Sequence, residues 1–455
     1  MSTSPTIALI TNDAIGEKMA GPGIRYWEFA RVLSNSFRVK LIVPPYVCMD
    51  ASLSGKPGEA EVYVCENADA LAALVTDCDV LVTLGIVLAF YPFLTQLEKV
   101  LVVDIYDPFL LAGLQREVGT DLSRQIGAYE KYREALDVQL RAGDFFLCAS
   151  ERQRDYWLGM LSAVGRINPY TYAQDPTFEK LITVVPFGLP WEQPQHLHPV
   201  LKGVYKSIAP ADKVLLWGGG VWDWLDAPAL VRSMPLILTH RDDVKVFFMG
   251  TRRPNASAGQ TAAVDNLVAL SQDLDLYDRY VFFNDWVDYE QRQNYLLEAD
   301  LGISLHLNHA ETRFAFRTRL LDYLWAGLPT VCTVGDVLGE SLAAQGAVSL
   351  VAPGDVEGLA RTILSLLAIP DLRAQNEVRV KAIAAQYHWD VVAQPLADFC
   401  AVPHFAADRG YVQQQLAVGQ RSNPWWSKVQ RAVQSGGPRE LWRQVCAYLH
   451  WRRQQ

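Results

Sequence analysis

The chain has 455 residues, too many for a single core, and at about 150 residues per domain it should divide into two or three units. Half of its residues are hydrophobic and a fifth are charged, the balance of an ordinary globular protein, and a net charge of −9 argues against a nucleic-acid partner. The seven cysteines (Cys48, Cys65, Cys78, Cys148, Cys332, Cys400 and Cys446) are scattered, mostly in apolar runs, with no C-x-x-C; this fits a reducing cytosol and argues against a disulfide framework or a zinc site.

Met1-Ser-Thr-Ser leads directly into an apolar run, so no signal peptide is expected. Runs suited to buried strands follow at Thr6–Thr11, Val39–Val43, Val80–Leu84, Val100–Asp104, Phe145–Ala149 and Ile182–Pro186, with helical stretches at Gly23–Leu33, Leu122–Arg141 and Glu151–Leu161. Val80–Leu97 carries no charge and is about as long as a membrane span, but Gly85 and Pro92 interrupt it; it reads as a buried strand and a short helix. Strands are expected again at Lys213–Trp217, Val244–Met249, Tyr280–Phe283, Leu301–Leu305, Thr330–Thr333 and Val348–Val351. They alternate with helices at Ala227–Leu238, Tyr289–Glu298, Arg313–Ala326 and Val356–Leu367. Continuous apolar strands alternating with helices imply parallel sheets covered on both faces.

The pattern restarts after Gly188–Lys213, a loop rich in Pro, His and Gln. The expected architecture is α/β: two doubly wound Rossmann-like domains, 1–198 and 199–400, facing a cleft, followed by a helical tail at 401–455. Ligands of such sheets bind beyond the carboxyl ends of the strands, so the strand-to-helix loops are where chemistry is expected.

Four loops carry candidate residues. Asn12 to Arg25 joins the first strand to the first helix, and its Gly16, Gly21 and Gly23 let backbone approach a ligand, although the spacing is not G-x-G-x-x-G. Asp104-Ile-Tyr-Asp107-Pro ends a strand with two carboxylates suited to sugar hydroxyls or to base chemistry; Asp107 also suits a turn. Gly218-Gly219-Gly220 makes sense where backbone lies against a ligand; Asp223 nearby is placed for contact, while Asp226 suits a helix N-cap. His306 and His309 follow a strand, but neither a catalytic triad nor helical zinc-ligand spacing accompanies them.

The fourth loop opens the helix expected over Arg313–Ala326, with Thr312 as N-cap and Gly327 and Pro329 as the stop. Its charge is reversed. Arg313, Arg317 and Arg319 crowd the end where the helix dipole is positive, a cost of a few tenths to about 1 kcal/mol each that an anion would reverse. A phosphate or diphosphate is therefore expected there, with Arg319 and Asp322 paired at i,i+3; the alternative is arginines turned to water and paired with Glu311 and Asp322. Residues 421–455 form a basic, Trp-rich stretch with Glu440 as its one acid, suited either to an interfacial helix on an anionic membrane or to packing on the protein.

Over roughly residues 6–400 the chain resembles family 4 of the GT-B glycosyltransferases. The resemblance rests on Gly21-Pro-Gly-Ile-Arg25 in the acceptor-side loop and on Val184-Val-Pro-Phe-Gly188 before the linker. It rests also on Val281-Phe-Phe-Asn284-Asp-Trp-Val287 with Tyr295 and Ala299-Asp300 near the nucleotide base, and on Leu321-Asp-Tyr-Leu-Trp-Ala-Gly-Leu-Pro329. The family's Glu-x7-Glu becomes Phe314 and Asp322, so the resemblance gives Asp322 to the ribose and leaves Glu311 as a substitute for the first carboxylate. The usual Arg and Lys after the first strand of the second domain are replaced by Gly218–Asp223; Arg317 and Arg319, with Arg25 or Arg252 across the cleft, are the candidates to neutralise a diphosphate.

The resemblance implies a retaining, hexosyltransferase-like enzyme that needs no metal and uses a nucleotide-diphospho-sugar as donor. The acceptor would be a saccharide or a lipid-linked saccharide lying near Gly21–Arg25 and Asp104–Asp107, in surface polysaccharide synthesis. Asp104, Asp107 and Glu311 are the catalytic candidates. Gly21, Gly23, Arg25, Gly218, Gly219, Gly220, Asp223, Asn284, Arg317, Arg319 and Asp322 are the binding candidates. The implied location is cytoplasmic, with peripheral contact at the inner face of the cell membrane through 421–455. The alternatives are an epimerase or phosphorylase of the same fold, or a non-catalytic subunit that binds nucleotide or glycan.

Overall fold

The computed structural model describes residues 4–47, 55–251 and 262–421. They form two parallel sheets. The first contains β1 (Thr6–Ile10), β2 (Arg38–Val43), β3 (Glu61–Val64), β4 (Val80–Leu84), β5 (Val100–Asp104), β6 (Phe145–Cys148) and β7 (Ile182–Val184), in the order β3-β2-β1-β4-β5-β6-β7. The second contains β8 (Lys213–Gly220), β9 (Val244–Gly250), β10 (Val281–Phe283), β11 (Leu301–Ser304), β12 (Thr330–Thr333) and β13 (Ser349–Val351), in the order β10-β9-β8-β11-β12-β13. The strand order reverses between β1 and β4 and between β8 and β11, the switch points at which open α/β sheets leave a crevice.

The central strands are buried on both faces, as their unbroken apolar sequences require: every residue of β4, β5 and β9 is buried. The strand β3 was not expected. Glu61-Val-Tyr-Val64 is short, half-exposed and at the sheet edge, so its sequence carries no buried run. The uncharged Val80–Leu97 segment is β4, a one-turn helix at Val87–Phe90 and a 3-10 turn at Pro92–Gln96. No helix among the described residues is long and apolar enough to cross a membrane.

The boundary expected at 400 does not separate two packing units, because the chain returns to the first sheet well before it. Beside the linker the Leu189 amide donates to the Tyr387 carbonyl at 2.7 Å and the Leu189 carbonyl accepts from the Trp389 amide at 2.9 Å, and buried Trp389 packs edge-on against Phe29 with ring centroids 5.9 Å apart. Phe399 stacks on Phe145 at 4.1 Å. Asp408 then takes a two-pronged ion pair from buried Arg166 at 2.8 and 2.9 Å, and Arg409 reaches Asp144 at 2.7 Å. The described part of the tail ends in a helix at Arg409–Arg421; the basic, Trp-rich residues from 422 onward, and Arg252, lie outside the described residues.

One buried ion pair organises the upper rim of the first sheet. Arg25, in the helix Gly21–Leu33, donates Nε to Asp104 at 2.6 Å and Nη2 to its other oxygen at 3.1 Å. Two further N–H groups reach the carbonyls of Val185 and Pro186 at 2.8 and 2.9 Å. Both side chains are fully buried. The expectation that Arg25 and Asp104 face a ligand is thereby corrected: each satisfies the other, and neither reaches the cleft. Gly23 is corrected with them, since a Cβ there would stand 2.2 Å from the carbonyl oxygen of Ala14; the glycine serves close packing, not ligand contact. Arg25→Met should lower stability by about 3–5 kcal/mol by leaving Asp104 charged and alone, and adding Asp104→Leu should restore much of it. Urea denaturation of the full chain checks this; equal losses in the single and double variants would refute the assignment.

Candidate active site

The carboxyl ends of both sheets face each other across two adjoining cavities of about 510 and 160 Å3. Ala20, Gly21, Trp222, Thr318 and Arg319 line both, so they form the wall where the two meet.

The larger cavity takes its first-domain wall from the loops after β1, β4 and β5. Gly21 opens the helix Gly21–Leu33 against Tyr106, with Pro22 in its first turn and no side chain capping it among the described residues. Asp107 projects into the lumen. It is open to the cavity water yet lies deep between the domains, and this crowding, followed by the charge of Glu311 opposite, raises its carboxyl to about 6.

The second-domain wall differs from its sequence-based picture. The helix expected over Arg313–Ala326 is two short pieces, Ala310–Phe314 and Arg319–Trp325, broken at 315–318. His309, not Thr312, caps the first: its Nδ1 accepts from the Thr312 amide at 3.4 Å. Neither piece is long enough for its dipole to make an anion site, so the three arginines have separate fates. Arg313 points to solvent. Arg317 is tied to Glu311 by bonds of 3.0 and 2.6 Å, with both side chains buried. Arg319 donates Nη2 to the Gly220 carbonyl at 2.8 Å and lies over the Trp217 ring at 4.5 Å, while its buried Nη1 has no hydrogen-bond partner among the described residues. Burial, with the neighbouring charge of Arg317 acting in the same direction, lowers Arg319 to about 10. The expected Arg319–Asp322 pair does not form; Asp322 accepts from Arg292 at 3.2 Å.

The glycine run is shaped for close approach. Gly218 donates its amide to the Tyr323 hydroxyl at 2.7 Å, and Gly220 lies under Trp222. Gly219, at φ +81°, has no described atom within 4 Å of where a Cβ would stand, so its backbone borders open space beside Arg319. All three line the smaller cavity with Asp322, Arg292 and Trp286.

Of the sequence candidates, the structure gathers Gly21, Asp107, Glu311, Arg317 and Arg319 around the larger cavity, and Gly21, Gly218, Gly219, Gly220, Arg319 and Asp322 around the smaller. Asp223 lines neither. Asn284 is turned inward, donating to the Met249 carbonyl at 3.1 Å, and holds the loop after β10 instead of touching a ligand. His306 is fully buried, 3.4 Å from Asp336. Sequence reasoning missed Trp222 and Trp224, whose rings stack 5.8 Å apart beside the larger cavity. Two tryptophans in a glycine loop were a readable signal of a platform. Arg292 carried none, since its carboxylate partner, Asp322, lies thirty residues away.

Residues 212–368 match the sequence model of the family described as glycosyl transferases group 1. No curated protein matches the chain by sequence. Among solved structures, sucrose-phosphate synthase from Thermosynechococcus elongatus is similar with a TM-score of 0.64 and 15% identity, over 91% of this chain and 100% of that one. The HepE protein of Anabaena in complex with UDP-glucose gives 0.59 and 14%, over 87% and 98%. WaaG, a glycosyltransferase involved in lipopolysaccharide biosynthesis, gives 0.58 and 14%, over 88% and 100%. At these identities the likeness is one of fold. The chain therefore has the GT-B fold, and within its second domain residues 212–368 match the group 1 glycosyl transferase model.

Proposed function

We propose that the protein moves a sugar from a nucleotide-diphospho-sugar to a saccharide or lipid-linked acceptor, with retention at the anomeric carbon and without a required metal, in surface polysaccharide synthesis. The observation that carries this reading is Arg319: a cation in the wall between two cavities, with one buried nitrogen that has no partner among the described residues. A buried unpaired guanidinium is costly unless an anion completes it. A diphosphate bridging the cavities would accept from Arg319 and from the backbone at Gly219 and at the start of the helix Gly21–Leu33. Asp322 would meet the ribose in the smaller cavity. The acceptor would lie in the larger one on Trp222 and Trp224, whose faces suit a sugar ring.

The reaction needs charge relief as the diphosphate leaves, which Arg319 supplies in place of a metal. The acceptor hydroxyl attacks the anomeric carbon, the bond to the diphosphate oxygen breaks, and the hydroxyl proton passes to the carboxylate of Asp107. Retention requires the hydroxyl to arrive on the face from which the diphosphate departs; the position of Arg319 in the wall between the two cavities supports that reading. Glu311, held by Arg317, keeps a second negative charge opposite Asp107. The complex of HepE with UDP-glucose and the lipopolysaccharide role of WaaG support the donor class and the polysaccharide setting. A cytoplasmic location, with contact at the membrane's inner face through residues 421–455, belongs to the same proposal.

A thermal-shift screen against UDP, GDP, dTDP, ADP and CDP, with and without EDTA, tests the donor site. One nucleotide at about 100 times its dissociation constant should add about 2.7 kcal/mol, unaffected by EDTA; no shift with any of them would sink the reading. With that nucleotide, Arg319→Ala should weaken binding at least about tenfold by calorimetry, and Arg317→Ala less, since its fork is already engaged. Unchanged affinity in Arg319→Ala would remove it from the phosphate site. Asp107 must be charged to act as a base, so turnover should rise as pH climbs through about 6. Asp107→Asn should erase that rise and slow turnover by about 100-fold or more; a pH profile that survives the substitution would exclude Asp107 as the base.

A further inference from the structure

We propose that Gln153 is a positioning residue that clasps the two domains to each other; as a role in transfer, this rests on the transferase reading above. Gln153 lies in the first-domain helix Glu151–Ala163 and is fully buried. Its amide oxygen accepts from the Ala149 backbone at 2.8 Å, which fixes how the amide faces. Its nitrogen then donates to two carbonyls, one from each domain: Tyr106 at 2.7 Å and Phe314 at 2.7 Å. These carbonyls belong to the segments that carry the reacting groups. Tyr106 immediately precedes Asp107. Phe314 lies midway between Glu311 and Arg317, at the break that gives the second-domain wall its shape. One planar amide therefore sets the separation of Asp107 and Glu311 across the cleft.

The surrounding contacts support the same seam. Tyr156, one turn along the helix, packs its ring 4.6 Å from Phe314. Arg152 reaches Glu340 at 2.8 Å and the carbonyls of Arg313 and Gly335 at 3.4 and 3.3 Å. The Arg152–Glu340 pair is 37% exposed on each side and is screened by water and salt. Gln153 is dry. Of all side chains only an amide of this length fits: leucine fills the space without donors, glutamate sets a carboxylate against two carbonyls, and asparagine is a methylene short.

The test uses the full chain. Small-angle scattering of the ligand-free protein should show a larger radius of gyration for Gln153→Leu than for wild type, with little change for Arg152→Ala. The nucleotide found by the thermal-shift screen should bind Gln153→Leu within about threefold of wild type, because its proposed ligands lie mainly in the second domain. Turnover of the corresponding nucleotide sugar should fall at least about tenfold, the scale of two lost hydrogen bonds. Scattering that superimposes on wild type overturns the clasp. A larger radius with unchanged turnover overturns the positioning role, and so does a parallel loss of binding and turnover. If Gln153→Leu does not fold, Gln153→Asn replaces it under the same criteria. If wild type turns over no nucleotide sugar, the transferase reading fails, and scattering still decides whether Gln153 holds the domains together.

Discussion

The first-domain wall depends on the buried fork of Arg25. Three segments that are far apart in sequence end within reach of one guanidinium: the helix Gly21–Leu33, the end of β5 at Asp104, and Val185–Pro186 at the start of the linker. Arginine offers five donors in a rigid plane, so satisfying it here fixes direction as well as distance. Gly21 and Asp107 are consequently set four residues before Arg25 and three after Asp104. A hydrophobic pair could fill the same space, but it would not define the angle at which the helix start and the β5 loop enter the cleft. The same fork holds the linker entry, and the returning chain closes over it through Trp389, which packs on both Phe29 and Phe187.

The opposite wall is organised by how its positive charge is distributed. Arg317 and Arg319 are two residues apart in sequence and have opposite situations. Arg317 is neutralised by a buried carboxylate, so it shapes Glu311 more than it attracts an anion. Among the described residues Arg319 has the Gly220 carbonyl as its hydrogen-bond partner and the Trp217 ring beneath it. The break at 315–318 produces this division. An unbroken helix would have placed the two guanidinium groups about 200° apart around one axis; the break frees each to find its own surroundings.

Most of the fold was legible because buried parallel strands write themselves as unbroken apolar runs. Glu61–Val64 escaped because an edge strand buries too little to leave that mark. The helix around Arg319 was legible as a place where charge and dipole disagree, but the resolution of that conflict was not. Propensity alone favoured one helix. The pair of Arg317 with Glu311 was one of the pairings the sequence offered, but the bond from Gln153 to Phe314, which holds the broken form, is tertiary and no local preference contains it. The same reasoning explains the misassigned Arg25 and Asp104. Glycine loops and strand ends announce where ligands can bind, yet an arginine and an aspartate in such loops can just as well complete each other. Only their burial tells the two cases apart.

Closure links these parts electrostatically. Asp107 belongs to the first domain and Glu311 to the second, and the elevation of Asp107 to about 6 draws on both its enclosed position and the facing charge of Glu311. The second contribution requires the domains to be together: with them apart, Glu311 would recede and its charge would no longer raise Asp107. A group poised close to neutrality can both take a proton from a hydroxyl and release it again, whereas an ordinary carboxylate is a much weaker base. The charge of Glu311 acting on Asp107 is therefore an interaction that depends on how the two walls of the cavity are set against each other.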